Sequence, residues 1–227
     1  MTDATAAVRF AIGGMLRFLS HAETLRVFQR ACARAAVPVK FSEGFNPHPK
    51  LSLPLPRPVG VESADELLVV RLFDESGVPA DGTETLARTR WQDRMKQALT
   101  AALPEPIKLR SVALHKTKAS FSAESVDYEF MVRMDADTTT ALQERAASLE
   151  AAERIEVERV SPCRPGRRID VRGFLKSLRL EVDRVVVTCA ISTGGSIRVD
   201  EIMRLLELTV TDLACPVRRT NVVWTIT

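Results

Sequence analysis

The sequence predicts an α+β protein made of two tandem ferredoxin-like units, each a split βαβ arrangement with an antiparallel sheet. Three observations predict it. The first half reads strand, helix, extended rail, strand, helix, strand. A polar basic junction, His115-Lys116-Thr117-Lys118-Ala119-Ser120, separates the halves. The second half runs through the same order with little sequence similarity, which places the units at 1–117 and 118–227.

In the first unit, Val8, Phe10 and Ile12 alternate with polar or small residues and read as a strand. Gly13-Gly14 suggests a bulge before Leu16 and Phe18 resume the alternation. Ser20-His21-Ala22-Glu23 fits a capping box, and the helix it opens turns Leu25, Phe28 and Cys32 to a core. Arg26, Arg30 and Arg34 fall on another face, and Pro38 stops the helix. Leu67 to Phe73 is a nearly continuous apolar strand, covered on both faces. Asp74 to Gly82 reads as a polar loop. Trp91, Met95 and Leu99 mark a second helix ended by Pro104 and Pro106, and Ile107 to Leu114 is a strand.

In the second unit, Val126, Tyr128, Phe130, Val132 and Met134 alternate strictly as a strand. Asp137 to Ala152 is alanine-rich and helical, and Ile155 to Val160 is a short strand. Arg164-Pro165-Gly166-Arg167-Arg168 reads as a loop. Leu178 to Val182 and Val185 to Ser192 form a hairpin around Asp183-Arg184. Gly194-Gly195-Ser196 turns into a short helix carrying Ile202, Leu205 and Leu206, and Val217 to Ile226 closes the sheet.

The totals bound the function. Of 227 residues, 45% are apolar and 27% charged, ordinary for a soluble globular chain. Net charge is only +3, so a nucleic-acid role must rest on local clusters of arginine and lysine. No run approaches a membrane span and no signal-peptide pattern stands at the N-terminus, so no membrane association and a cytoplasmic location are expected. Cys32, Cys163, Cys189 and Cys215 have no metal-ligand spacing, and Cys32 and Cys189 read as small core residues. Without a three-cysteine cluster the chain holds no iron–sulfur centre of its own, and no cofactor or metal is expected.

The chain is organised around Gly44 to Gly60, where prolines at 47, 49, 54, 56 and 58 fix φ and hold the residues before them extended. Such a trace is excluded from a central strand but suits an edge or a surface rail. It lifts Asn46 and His48 and carries Lys50 and Arg57, with Lys40 just before it. One reading is a rigid loop closing a sheet edge; the other is a preorganised site for an anionic partner.

Four blocks, Arg17-Phe18-Leu19-Ser20-His21, Arg26-Val27-Phe28, Ser42-Glu43-Gly44-Phe45-Asn46-Pro47-His48-Pro49-Lys50 and Gly60-Val61-Glu62-Ser63, together resemble the radical-SAM-linked protein family. A further block, Asp170-Val171-Arg172 with Gly195-Ser196-Ile197-Arg198-Val199-Asp200-Glu201 and Arg218-Arg219-Thr220, is similar to that family's second half. Where the family usually has aspartate two residues after the first histidine, this chain has Glu23. The resemblance implies a domain beside, or fused behind, a radical SAM enzyme, and supplies a partner rather than a reaction.

Candidate site residues follow. His21 and His48 could share a site that binds a metal or works as acid and base, or each could be a lone histidine satisfied by its own loop. The stripe Arg26, Arg30, Arg34 is either a solvated helix face or a phosphate contact. Arg164, Arg167, Arg168 and Arg172 suit phosphate or carboxylate recognition, unless Arg172 pairs internally with Asp170 or Asp200. Gly194-Gly195-Ser196-Ile197-Arg198 with Arg218 and Arg219 offers a second anion site. An aromatic stacking platform is disfavoured, because the few aromatics fit core alternation.

The leading expectation is a non-catalytic module that holds an RNA, transfer or ribosomal, and works with a radical SAM enzyme. The alternatives are metal-independent RNA cleavage through His48 or His21, for which CRISPR repeat-associated endonucleases look similar in layout, and pure protein docking through the rail.

Overall fold

The computed structural model describes residues 4–73, 79, 85–116, 119–161 and 164–226, so nearly all of the expected loop at Asp74 to Gly82 lies outside the described residues. The chain divides into two compact units, Met1–Ser122 with Thr225–Thr227, and Ala123–Trp224. Each combines strands with helices, so the fold is α+β. Among the described residues no helix is long and apolar enough to cross a membrane.

The first unit is built on β1 (Ala4–Ile12), which pairs antiparallel with β3 (Glu62–Leu72) and with β4 (Ile107–Lys116). A two-residue strand, β2 (Leu51–Ser52), pairs antiparallel with β3. Helices α1 (His21–Arg34) and α2 (Thr85–Ala102) carry the residues that close the core. Val8, Phe10 and Ile12 of β1 and Leu68, Val70 and Leu72 of β3 cluster with Phe28, Cys32, Trp91, Met95 and Leu99. The rings of Phe10 and Phe28 tilt at 60° with centroids 4.6 Å apart, a geometry that adds to burial. On the opposite face Thr5, Ala7, Leu67 and Val69 are buried too. The continuous apolar run of β3 foretells this, since a strand covered on both faces has no polar side to present.

Helix α1 starts as its sequence requires. The Ser20 Oγ accepts from Glu23 N at 3.3 Å, and a Glu23 carboxylate oxygen accepts from Ser20 N at 2.8 Å. The Ser20 hydroxyl, which donates to the same carboxylate at 2.7 Å, and Ser20 N hold the Glu23 carboxyl below the usual range. Just before it, the structure corrects the expected bulge and resumed strand. β1 stops at Ile12, and Gly14–Phe18 form a 3-10 turn entered through Gly14 at φ +55°. The Gly14 N donates to a Glu62 carboxylate at 2.9 Å, which removes it from the strand ladder.

The proline stretch is likewise no single extended trace. Residues 41–49 fold back on themselves, with Phe41 bridged to Pro49, and only Leu51–Ser52 join the sheet. Beyond it the chain turns through Gly60 at φ +87°, whose N donates to the Arg17 carbonyl at 2.9 Å. The Arg57 guanidinium fastens these two irregular segments together. Its Nη1 donates to the carbonyls of Arg17 at 2.7 Å and Val61 at 2.5 Å, and its Nη2 to that of Leu19 at 3.1 Å.

The second unit runs β5 (Phe121–Met131), α3 (Ala136–Ala151), β6 (Glu156–Ser161), β7 (Arg164–Asp170), β8 (Leu175–Leu180), β9 (Arg184–Ala190), α4 (Val199–Leu205) and β10 (Arg218–Ile226). β10, β5, β9 and β8 are neighbours in that order, while β6 and β7 form a two-stranded sheet of their own. Val126, Tyr128 and Phe130 of β5 and Val185, Val187 and Cys189 of β9 are buried at alternate positions, the half-buried pattern their spacing predicts. Asp135 caps α3 by accepting from Thr138 N at 2.7 Å.

Here the structure overturns a second expectation. Arg164 to Arg168 are strand, in register with β6 through Arg159↔Arg167, Glu158↔Arg168 and Val157↔Ile169. In a two-stranded sheet both strands are edges, so Pro165 and Gly166, which read as a turn, are tolerated there.

The hairpin is tied to α4 by a buried ion pair. Arg159 Nε lies 2.6 Å from Glu201 Oε1, its Nη2 bonds Glu201 Oε2 at 2.9 Å and the Ser196 carbonyl at 2.6 Å, and Glu201 Oε2 also accepts from Arg198 N at 2.8 Å. Glu201 is fully buried. Burial alone would raise its carboxyl, but the hydrogen bonds from Arg159 and Arg198 outweigh it and hold the group below its usual range.

Two stability tests follow. Replacing Arg57 by lysine should cost about 2 kcal/mol in urea unfolding, because an ammonium cannot reach three diverging carbonyls at once; a loss below a few tenths would deny the clamp. Glu201→Gln should cost about 3 kcal/mol at neutral pH by leaving Arg159 unpaired. The folded Glu201 carboxyl titrates below its ordinary 4.5, so its stabilisation is complete above that pH and is lost as pH falls through the depressed value. The variant's stability should therefore fall less steeply than the wild type's below pH 4.5.

Candidate functional site

In the first unit the 39–50 fold-back ends in an exposed tip. Its base is fixed to β3, since Lys40 N donates to the Arg71 carbonyl at 2.8 Å, Lys50 N to that of Lys40 at 2.8 Å, and Arg71 N to that of Lys50 at 3.0 Å. Its neck is closed twice, by Ser42 N to the His48 carbonyl at 2.8 Å and by His48 N to Ser42 Oγ at 2.9 Å. Gly44 turns the chain at φ +118°. An added Cβ there would meet nothing within 4 Å, so glycine is needed for conformation and not for space. The result is a stiff protrusion displaying Glu43, Phe45, Asn46, His48 and Lys50, all exposed. Phe45 is fully exposed and Phe41 more than half so.

These two rings correct the expectation that every aromatic belongs to the core. The signal was present: Phe45 stands between Gly44 and Asn46-Pro47, a stretch without strand or helix period, so no core face could claim it. A third ring, Phe18, is half exposed, with the Arg17 guanidinium 4.3 Å from its centroid. Arg17 also donates to the Gly14 carbonyl at 2.9 Å.

His21 edges a small pocket with Phe10, Leu19, Thr24, Leu53, Leu55, Arg57 and the buried Glu66, and His48 does not line that pocket. Arg26 and Arg30 remain an exposed face of α1, whereas Arg34 reaches the Ala102 carbonyl.

The expected arginine cluster of the second unit is dispersed. Arg172 places Nε 2.8 Å from the Ala152 carbonyl, Nη1 2.9 Å from that of Leu175 and Nη2 3.2 Å from that of Glu150, so it caps the C-terminus of α3. Asp170 accepts from Arg172 N and Ile155 N, both at 3.0 Å, and those two bonds hold its carboxyl below the usual range. Arg168 faces Glu156 at 3.9 Å on a strand face shared with Glu158, which dilutes its charge. Arg219 is buried, with its guanidinium 5.6 Å from the Tyr128 ring centroid and Nη2 3.2 Å from the Tyr128 hydroxyl. Arg167, Arg198 and Arg218 are exposed.

Cys32 and Cys189 are core residues whose thiols burial pushes up to about 11 and about 12, which makes them poor nucleophiles and ligands near neutrality. Cys163 lies outside the described residues. Among the described residues, no three His, Cys, Asp or Glu side chains stand together as a metal site. The geometry therefore offers a rigid, exposed turn at residues 42–48. No curated protein matches the chain significantly. A family match does, over residues 6–200, and the chain belongs to that family, described as "Uncharacterized protein conserved in bacteria (DUF2344)".

Proposed function

We propose that the protein is a non-catalytic, cytoplasmic binding module that holds an RNA, transfer or ribosomal, for a radical SAM enzyme working beside it. The radical SAM partner comes from the sequence resemblance alone. The observation that carries the RNA half is the tip, where exposed Phe45, Asn46, His48 and Lys50 stand on a turn fixed by hydrogen bonds before any ligand arrives.

The reading has support in the architecture. The strand neighbours β4, β1, β3 and β2 of the first unit, and β10, β5, β9 and β8 of the second, suit two tandem ferredoxin-like units divided near 117, with the β6–β7 hairpin inserted in the second. An RNA-binding unit of this kind uses its open sheet face or a neighbouring loop. Thr5, Ala7, Leu67 and Val69 are buried on that face of the first unit, which leaves the loop. Ring and amide at Phe45 and Asn46 suit base contact, and Lys50 suits phosphate.

Binding of bulk transfer RNA, followed against salt, tests this. The affinity should fall linearly on logarithmic axes, and Lys50→Glu should weaken it while reducing the slope by about 0.7, the share of one phosphate contact on a single strand. Lys50 has an exposed side chain, so folding, checked by circular dichroism, should be unchanged. No binding at low salt, or a flat salt response, removes the RNA reading.

A further inference from the structure

We infer that the tip takes an unpaired nucleobase, stacked on the Phe45 ring, and that duplex RNA is not its ligand. This rests on the RNA reading above and narrows it to a substrate class.

Charge and shape argue together. Between residues 40 and 50 the charged side chains are Lys40, Lys50 and the opposing Glu43, with His48 between them. That is a small electrostatic footprint, and duplex RNA is held chiefly through phosphates and 2′-hydroxyls across a wide minor groove. Three of the cations that the sequence offers elsewhere are spent inside the fold, Arg57 on loop carbonyls, Arg172 on the end of α3 and Arg219 in the core, while Arg26, Arg30, Arg167, Arg198 and Arg218 are exposed on other elements and not on the tip. What the tip has in excess is ring surface. Phe45 is fully exposed and Phe41, at the other end of the same turn, more than half exposed. An aromatic face gains little against a paired helix, whose bases are stacked on each other. It gains most against a base that is already splayed out, in a loop, bulge or single strand.

The neighbours of Phe45 fit the rest of a nucleotide. Asn46 carries both a donor and an acceptor, able to read a base edge, and Lys50 stands at the base of the turn as a phosphate partner. Because Gly44, Pro47 and the paired Ser42–His48 bonds already fix the turn, little conformational freedom is lost when the base lands.

The test compares a short unstructured RNA oligonucleotide with the same strand annealed to its complement, each titrated with wild type, Phe45→Ala and Phe45→Trp. The single strand should bind about tenfold tighter than the duplex, the alanine variant should lose about ten- to a hundredfold on the single strand alone, and tryptophan should retain or improve it. The salt slope should not move with Phe45→Ala, because no cation is removed. Equal or tighter duplex binding, or an alanine variant that weakens both RNAs alike or neither, overturns the stacking inference while leaving RNA binding in place. If neither RNA binds wild type, the RNA reading falls and this inference with it.

Discussion

Irregular backbone leaves carbonyl oxygens that no helix or strand can satisfy, and in this protein guanidinium groups take them up. Arg57 holds the carbonyls of Arg17 and Leu19, about forty residues away in sequence, together with that of nearby Val61. Arg172 closes the end of α3 through Glu150 and Ala152, Arg145 reaches the Leu205 carbonyl, and Arg159 reaches that of Ser196. Arginine suits this work because its planar fork offers five donors and keeps its charge at any relevant pH. A buried or half-buried carbonyl left without a donor costs on the order of 1–3 kcal/mol. Through Arg57 the non-repetitive segments before and after α1 are tied to each other.

The same constraint reshapes the electrostatics. The chain has 32 lysines and arginines against 29 acids, and in sequence the arginines gather in blocks that read as anion sites. In three dimensions the blocks come apart. Asp170-Val171-Arg172 is a turn that binds its own helix end, Arg219 stacks against Tyr128 inside the second unit, and Arg168 shares a strand face with Glu156 and Glu158. Density of basic residues along the chain is thus a poor guide to basic surface wherever loops need donors.

Local rules made part of the fold legible. The capping box at Ser20 and Glu23, the helix stop at Pro38, the alternation of β5 and the two-faced burial of β3 depend on residues within a few positions of each other, and each stands as its pattern dictates. What could not be read depends on distant partners. Pro165-Gly166 looks like a turn until β6 lies alongside and sets the register through Val157 and Ile169. Gly13-Gly14 looks like a bulge until Glu62, nearly fifty residues away, captures the Gly14 N–H. The targets of Arg57 are invisible for the same reason. At the site, the stiffness of the proline stretch and the exposure of His48 could be read, but the fold-back that pushes Phe45 outward could not, because it is set by pairing between residues 40–42 and 48–50 and by their bonds to Arg71.

The β6–β7 hairpin gains a different meaning from this. Helix α4 has only seven residues, too few to persist alone, and it begins where Glu201 accepts from Arg198 N. Arg159, on β6, pins that same carboxylate and the Ser196 carbonyl just ahead of the helix. The hairpin is therefore a brace that fixes where α4 starts, and Arg159 is explained by that duty. Folding thus accounts for Arg57, Arg159, Arg172 and Arg219, and it does not account for the exposed ring of Phe45. A fully solvated phenyl group forgoes the roughly 1.5–3 kcal/mol that burial would give, and the Ser42–His48 bonds fix the turn that carries it. On the proposed reading an unpaired base recovers that free energy, and the pre-set turn means that little of it is lost again to ordering.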